Sequence, residues 1–462
     1  MAMEAPLPGI TPRAARAGRR PASSLAILLL GAAGTTLGAQ AAPHAPDTLT
    51  GDWNGQRSAL SARGIDFDMT TGATYQNIFS GGYTGDDGAL GASALELHFD
   101  TARAGLWPGG ELRARGEARY GEDVQADFGG FGAINVDSAL PHDPDRVGHD
   151  AVALTELVYA HTLSPRVQLF AGLLNSDEGD DNPLAGNLRR RDRFLNTFLL
   201  TSAVRMRLSP QVAPGVGVRL LPLPQLSGEI RIYDGEEAAG QRLDELRQGS
   251  VVATEWTYDH QLLGHPGRQM LGFRYGFDRA YSAAGTEDPR LLAALAPALP
   301  ATHSDTWAAY YNVAQSVVDW GDGRGWGVFG RLGYGDNDAN PVDWNAALGA
   351  VATGLLATSA HDVAGLGYFH VYQMDGPVMR QFAYDDEQGL EAWYNAEIVP
   401  WLHVTADLQM IDSDIDRYHG TESTPVVLPG GLGASADGAG RLAGREASDI
   451  SWVFGLRTEV SF

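Results

Sequence analysis

The sequence predicts an all-β fold, a transmembrane antiparallel β-barrel of about 16 strands with short periplasmic turns and long extracellular loops. Three observations carry that expectation. Near the end of the chain, Ile450, Trp452, Phe454, Leu456, Val460 and Phe462 fall on one face of an extended strand, and Ser451, Gly455, Arg457, Glu459 and Ser461 on the other. The same period of two recurs in an even number of segments whose separating gaps alternate in length. A segment with the character of an export leader precedes them all. Strands that cross lipid cannot leave an unpaired edge, so such a set must close on itself.

Arg13, Arg16, Arg19 and Arg20 lead into an apolar run, Leu25 to Leu37, that ends at the small-x-small site Ala39-Gln40-Ala41. Residues 1–41 therefore read as a secretory signal peptide that is removed. Arg19-Arg20 also fits the opening of a twin-arginine signal, but no bulky apolar residue follows at the required offset. Residues 42–64 are expected to form a periplasmic N-terminal segment, with Trp53 to Arg63 as a short helix stopped by Gly64. The barrel then occupies 65–462, with strands at 65–79, 91–101, 110–122, 151–162, 166–174, 213–221, 226–233, 251–261, 268–278, 305–317, 325–334, 345–355, 362–373, 389–398, 402–411 and 449–462.

Gaps after the even-numbered strands are short, as at Ser164-Pro165, Pro222-Leu223-Pro224 and Val399-Pro400, whereas those after strands 3, 5, 7, 9 and 15 are long. A sandwich or propeller gives no reason for this alternation, and a membrane barrel does. In the third strand Leu112, Ala114, Gly116, Ala118 and Tyr120 oppose Glu111, Arg113, Arg115, Glu117 and Arg119. A basic side chain facing lipid at the bilayer midplane costs about 2–4 kcal/mol, so the charged row must line a lumen. By the same alternation Glu391, Trp393, Asn395 and Glu397 of the fourteenth strand and His403, Thr405, Asp407 and Gln409 of the fifteenth face inward. Tyr120, Tyr394, Trp401 and Trp452 suit aromatic girdles at the membrane interfaces.

Composition narrows the class further. Removing the leader deletes four of 33 basic and one of 57 acidic residues and leaves a net charge of −27, too acidic for a nucleic-acid binder. All 33 basic residues are Arg, and there is no Cys, which fits an exported chain stabilised by a closed hydrogen-bonded sheet. After the leader no run of roughly 18 apolar residues occurs, which excludes a helical membrane protein.

Particular stretches then become familiar. Leu49-Thr50-Gly51-Asp52-Trp53-Asn54-Gly55 with Arg57, Leu60, Arg63-Gly64-Ile65 and Phe67-Asp68 resembles the mature N-terminus of the carbohydrate-selective porins of the OprB family. Phe194-Leu195-Asn196, Tyr233-Asp234-Gly235, Gly327 to Arg331, Gly333-Tyr334, Asp336, Asn340-Pro341 and Asp343-Trp344 are similar to its central region. Leu390 to Asn395, Pro400-Trp401-Leu402 and Gly455 to Phe462 are similar to its C-terminal part. The resemblance implies a sixteen-stranded porin of the bacterial outer membrane that passes sugars by facilitated diffusion, with no cofactor and no metal. The loops 279–304 and 412–448 depart from the pattern, which leaves the sugar preference open.

A pore selective for sugars needs donors and acceptors for hydroxyls and an aromatic surface for C–H faces. Arg presents a rigid fork of donors, and Asp or Glu accepts two hydroxyls at once. The third strand supplies both in alternation, Glu229 and Arg231 of the seventh add another pair, and Glu391, Trp393, Glu397, His403 and Asp407 complete the candidate lining. The same residues also suit a salt-bridge ladder that stiffens the wall, and the two roles are compatible. The loop 175–212 carries an acidic run, Asp177 to Asn182, and then Arg189, Arg190, Arg191 and Arg193. It either folds into the lumen as a constriction or lies solvated against lipopolysaccharide. The acidic run lacks the spaced ligands and terminal Glu of a calcium-binding EF-hand loop. Two other functions stay in view: a general or cation-leaning diffusion porin, and a barrel enzyme that hydrolyses lipid. The latter lacks a Gly-x-Ser-x-Gly elbow and has only His370 to suggest it. The expected partners are a sugar, outer-membrane lipid and lipopolysaccharide, with monomer and homotrimer both open.

Overall fold

The computed structural model describes residues 47–82, 85–128, 130, 132–142, 150–239, 249–281, 303–356, 359–373, 386–413 and 448–462. The expected leader and most of the loops 279–304 and 412–448 lie outside these residues. Sixteen antiparallel strands close into one barrel. They are β1 (Ile65–Gly82), β2 (Asp87–Asp100), β3 (Gly110–Gly121), β4 (Ala151–Ser164), β5 (Val167–Asn175), β6 (Val212–Leu223), β7 (Leu226–Asp234) and β8 (Ser250–Leu262). The circuit continues through β9 (His265–Tyr281), β10 (His303–Gly321), β11 (Arg324–Gly335), β12 (Val342–Thr353), β13 (Val363–Gln373), β14 (Glu387–Val399), β15 (Leu402–Ser413) and β16 (Ser448–Ser461). Every segment expected from periodicity is a strand, with ends displaced by at most four residues.

Closure is made by β1, which pairs with β2 along one edge and with β16 along the other, Thr70 lying opposite Ser461 and Asn77 opposite Phe454. No strand edge is left for lipid. Side chains alternate as period-two reading requires: in β15, Ala406 and Leu408 are exposed on the outside, while Thr405, Asp407, Gln409 and Ile411 are buried within. One end of the barrel carries tight turns, including Leu263-Gly264 and Asp322-Gly323, both of whose residues have positive φ. Such paired positive φ values match the twist of the flanking strands. The connections 101–109 and 354–362 are longer exceptions at the same end.

The N-terminal segment docks on that end. A 3-10 turn, Trp53–Gly55, runs into helix α1 (Gln56–Ser61), which stops before Gly64 at φ +83. There a Cβ would strike the carbonyl oxygen of Asp100, so glycine is required. Arg57 fastens the segment by donating to the carbonyl of Phe462 at 2.9 Å and to the Asp68 carboxylate at 2.7 Å. It packs at the rim beside the closure of β1 and β16.

At the opposite end two connections turn inward and fill the barrel. The β3–β4 connection holds short helices at Gln125–Phe128 and Val136–Ala139, and the β5–β6 connection holds Thr197–Leu200 and a 3-10 turn at Ala203–Leu208. Ile134, Val136, Phe194, Phe198, Leu199 and Val204 pack with Phe329, Phe369, Trp393, Ile411 and Val453 of the wall into one apolar cluster. The hydrophobic core of this molecule therefore lies between loops and barrel.

Candidate functional site

The inner wall below these loops is a network of paired charges. In β3, Arg115 donates to Glu117 two residues along the same face at 2.9 Å and also pairs with Glu96 of β2. Arg119 reaches the carbonyl of Ser138 in the inner loop, and Arg113 pairs with Glu156 of β4 at 3.1 Å. The side chain of Glu111 has no hydrogen bond or ion pair among the described residues. Four strands round the wall from β3, Glu229 of β7 stands between Arg219 at 2.9 Å and Arg231 at 3.2 Å. Arg219 stacks over the Phe170 ring at 5.1 Å, which holds its fork flat. Glu255 of β8 draws Arg231, Arg274 and Arg205 around one carboxylate and accepts the Tyr310 hydroxyl at 2.5 Å.

The β5–β6 loop, residues 176–211, is held into this network residue by residue. Asp180 and Arg331 of β11, both fully buried, pair at 2.7 Å, and Asn312 donates to the same carboxylate at 2.7 Å. Leaving either charge alone there would cost about 3–5 kcal/mol. Arg189 joins Glu156 and Glu178, both at 2.5 Å, and Glu178 also faces Arg113 at 3.6 Å, closing a ring of four charges. Arg191 pairs with Asp137 of the other inner loop at 2.5 Å, and Arg457 of β16 shares that Asp at 3.2 Å. Arg190 and Arg193 pair within their own loop with Asp192. Burial works against ionisation of Asp192, but the hydrogen bond from Arg190 and the charge of Arg193 outweigh it and hold the carboxyl at about 2. Asp177 goes the other way, pushed up to about 6 by burial and by the neighbouring Glu117 carboxylate.

Among the described residues, two cavities of this network stand out. One of about 470 Å³ is lined by Gln168, Thr257, Ser227 and a balanced set of charges, Arg166, Arg219 and Arg231 against Glu178, Glu229 and Glu255. The other, of about 190 Å³, is lined by Arg115, Arg189, Arg190, Arg191 and Arg457 against Glu96, Glu117, Asp137, Asp192 and Glu459. In each, basic and acidic side chains are equal in number.

A family model for the carbohydrate-selective porins of the OprB family matches residues 86–462. The chain belongs to the OprB family of carbohydrate-selective porins. It is a channel of the bacterial outer membrane and not an enzyme. A high-pH structure of Pseudomonas putida OprB has the same fold at 20% identity and a TM-score of 0.72, covering 92% of this chain and 100% of its own. A low-pH structure of the same protein aligns at 15% identity and a TM-score of 0.54, covering 91% and 100%. No curated protein matches the chain significantly.

Within this OprB-family porin several candidates point inward but are covered. Glu391 accepts the backbone N–H of Leu195 at 2.5 Å and of Asn196 at 3.0 Å, and is buried beneath the β5–β6 loop. Trp393 meets Phe194 edge to face at 5.5 Å, and Asp407 accepts from Gln409 at 2.9 Å, both buried under the same loop. Glu391 and Trp393 anchor the loop, and all three are covered instead of lining open space, a correction to the alternation argument, which gives the face of a residue but not what covers it. His403 bonds Asn395 at 3.1 Å, while Glu397 opposite it contributes its backbone N–H to Asp362. His370 lies outside the barrel, stacked on Trp344 at 4.9 Å and paired with Asp386 at 3.2 Å, an interfacial arrangement.

Sequence reading missed the inward fold of the β3–β4 connection and the part of Glu255. Signals existed for both: the apolar residues Val124, Ile134, Val136 and Leu140 are wasted in a solvated loop, and Glu255 shares an inward face with Val251 and Ala253. The aromatic surface expected for sugar faces lines neither cavity among the described residues.

Proposed function

We propose that this porin carries small neutral sugars of the glucose kind by facilitated diffusion, with paired Arg and Glu or Asp side chains as the groups that meet their hydroxyls. The supporting observation is the charge balance of the two cavities, five against five and three against three. Paired forks and carboxylates satisfy hydroxyls in either hydrogen-bonding sense while attracting neither cations nor anions strongly. An anion pore would need unpaired Arg, and a cation pore an excess of carboxylates. Glu111, Arg113, Arg115, Glu117, Arg119, Glu229 and Arg231 are the proposed wall contacts, and Arg189, Arg190, Arg191 and Arg193 the proposed constriction. Residues 1–41 are in this reading the export leader and 42–64 a periplasmic segment. Conduction needs binding that is easily reversed, so affinity for glucose is expected in the millimolar range.

The deciding experiment is liposome swelling with glucose against an uncharged non-sugar of equal size. Faster glucose entry, reduced by Arg113→Ala, Arg115→Ala or Glu117→Ala, is expected. Equal rates for the two solutes in the wild type would end the sugar-selective reading, and unchanged selectivity in all three variants would leave the ladder a scaffold.

A further inference from the structure

Arg189 lines the smaller cavity and Glu178 the larger, and the two side chains meet at 2.5 Å between them. Small-molecule sites generally span about 300–1,000 Å³, so a cavity of about 470 Å³ accommodates a whole sugar, and one of about 190 Å³ does so only when widened. We propose that the Arg189–Glu178 pair is a removable partition: a sugar rests in the larger cavity as one station and enters the smaller as a second when the pair parts. The proposal rests on the sugar-conducting reading above.

The geometry lets the pair separate without stranding a charge. Parting a buried ion pair is costly because it leaves each group unpaired in a poorly solvated site. Here each partner already holds a second counter-ion fixed to the barrel wall, Glu156 at 2.5 Å from Arg189 and Arg113 at 3.6 Å from Glu178. The two partners can therefore let go of each other while each keeps its counter-ion on the wall, and both remain neutralised. Glu178 is also 38% exposed, against 5% for Glu156, so it is the member of the ring that a solute in the larger cavity can reach. Sugar hydroxyls supply the bonds that the parted pair gives up, accepting from the guanidinium and donating to the carboxylate.

The chain contains no cysteine, so a Glu178→Cys/Arg189→Cys double variant can be linked selectively with a short bis-methanethiosulfonate reagent. Reconstituted in liposomes, it is expected to pass glucose when unlinked, to lose glucose entry and single-channel current when linked, and to recover both on reduction. Glucose entry that survives linkage, with the cross-link confirmed by mass, overturns the proposal. Glu178→Gln, which keeps size and removes the charge, gives a second arm: the current is expected to rise, and an unchanged current counts against the partition. Should the double variant fail to assemble, this arm decides alone. If wild-type glucose entry does not exceed that of an equal-sized non-sugar while linkage still blocks current, it is the sugar reading that fails.

Discussion

Asp177 shows how one side chain ties the inner loop to pH. Its carboxylate accepts from the Gln211 amide at 2.9 Å, while the same amide nitrogen reaches Glu117 at 3.3 Å, so two acids lean on one donor. Burial and Glu117 raise Asp177 from the usual 3.8 to about 6. An acid raised in the docked loop binds its proton more tightly there than in a free loop. Docking is thus strongest with Asp177 protonated and weakens as pH rises from about 4 through about 6, by on the order of 3 kcal/mol in total. Asp181 moves in the same direction through burial. Asp192, held at about 2, acts oppositely, but its contribution is complete above the usual carboxylate value and fades only in stronger acid. Between about pH 5 and pH 7.5 the raised acids therefore set the sign. The porin in detergent is expected to melt at a higher temperature at the lower pH, and Asp177→Asn to shrink that difference. A melting temperature that rises with pH over this interval, or a slope unaltered in the variant, would contradict the account.

Among the elements, β4 breaks its own rhythm in mid-strand. Val152 and Leu154 point outward, and so do Leu157 and Tyr159, although the two pairs have opposite parity. The break is absorbed by a bulge: Arg115 of β3 faces Glu156 and the next residue, Gly116, faces Leu154, which leaves Thr155 as the extra residue. Bulges let a strand re-aim its side chains at a functional site. Here the bulge turns Glu156 inward to hold both Arg113 and Arg189. Deleting Thr155 would leave an unbroken alternation with every other side chain on its present face. That deletion is expected to permit barrel assembly, judged by heat-dependent gel mobility, whereas deletion of Leu408 within the regular strand β15 is expected to abolish it. If both deletions fail alike, the bulge is not where the geometry puts it. Strands were legible in the sequence because each must show lipid one face and the interior the other, so the period of two is imposed residue by residue. The inner loops were less so: the inward course of 175–212 stood as one of two alternatives and that of the β3–β4 connection went unread, because nothing local specifies which wall residues Phe194 or Ile134 will meet. Their partners Trp393 and Gln409 lie some two hundred residues or more away in the chain and meet them only once the barrel has closed. Glu391 was read correctly as inward, and its role as a loop anchor came only from the contact.

At the scale of the whole molecule, a chain of net charge −24 encloses two cavities whose charges cancel. Part of the acidic surplus lies on the rims, where Asp52, Asp68, Asp319 and Asp322 are exposed at the tight-turn end and Asp86, Asp87 and Asp338 at the other. Rim charges act through water and are screened beyond about 10 Å at 0.1 M salt and about 3 Å at 1 M, whereas charges inside a narrow lumen act on every ion that passes. The arrangement therefore predicts an ion preference that depends on salt. In a potassium chloride gradient at high ionic strength the reversal potential is expected near zero, and at low ionic strength it should shift toward modest cation preference as the rims concentrate potassium. A channel whose selectivity resided in its lining would keep a strong cation preference in concentrated salt. That result would show the acidic surplus reaching the pathway, and it would favour a cation-leaning diffusion pore over one built for neutral solutes.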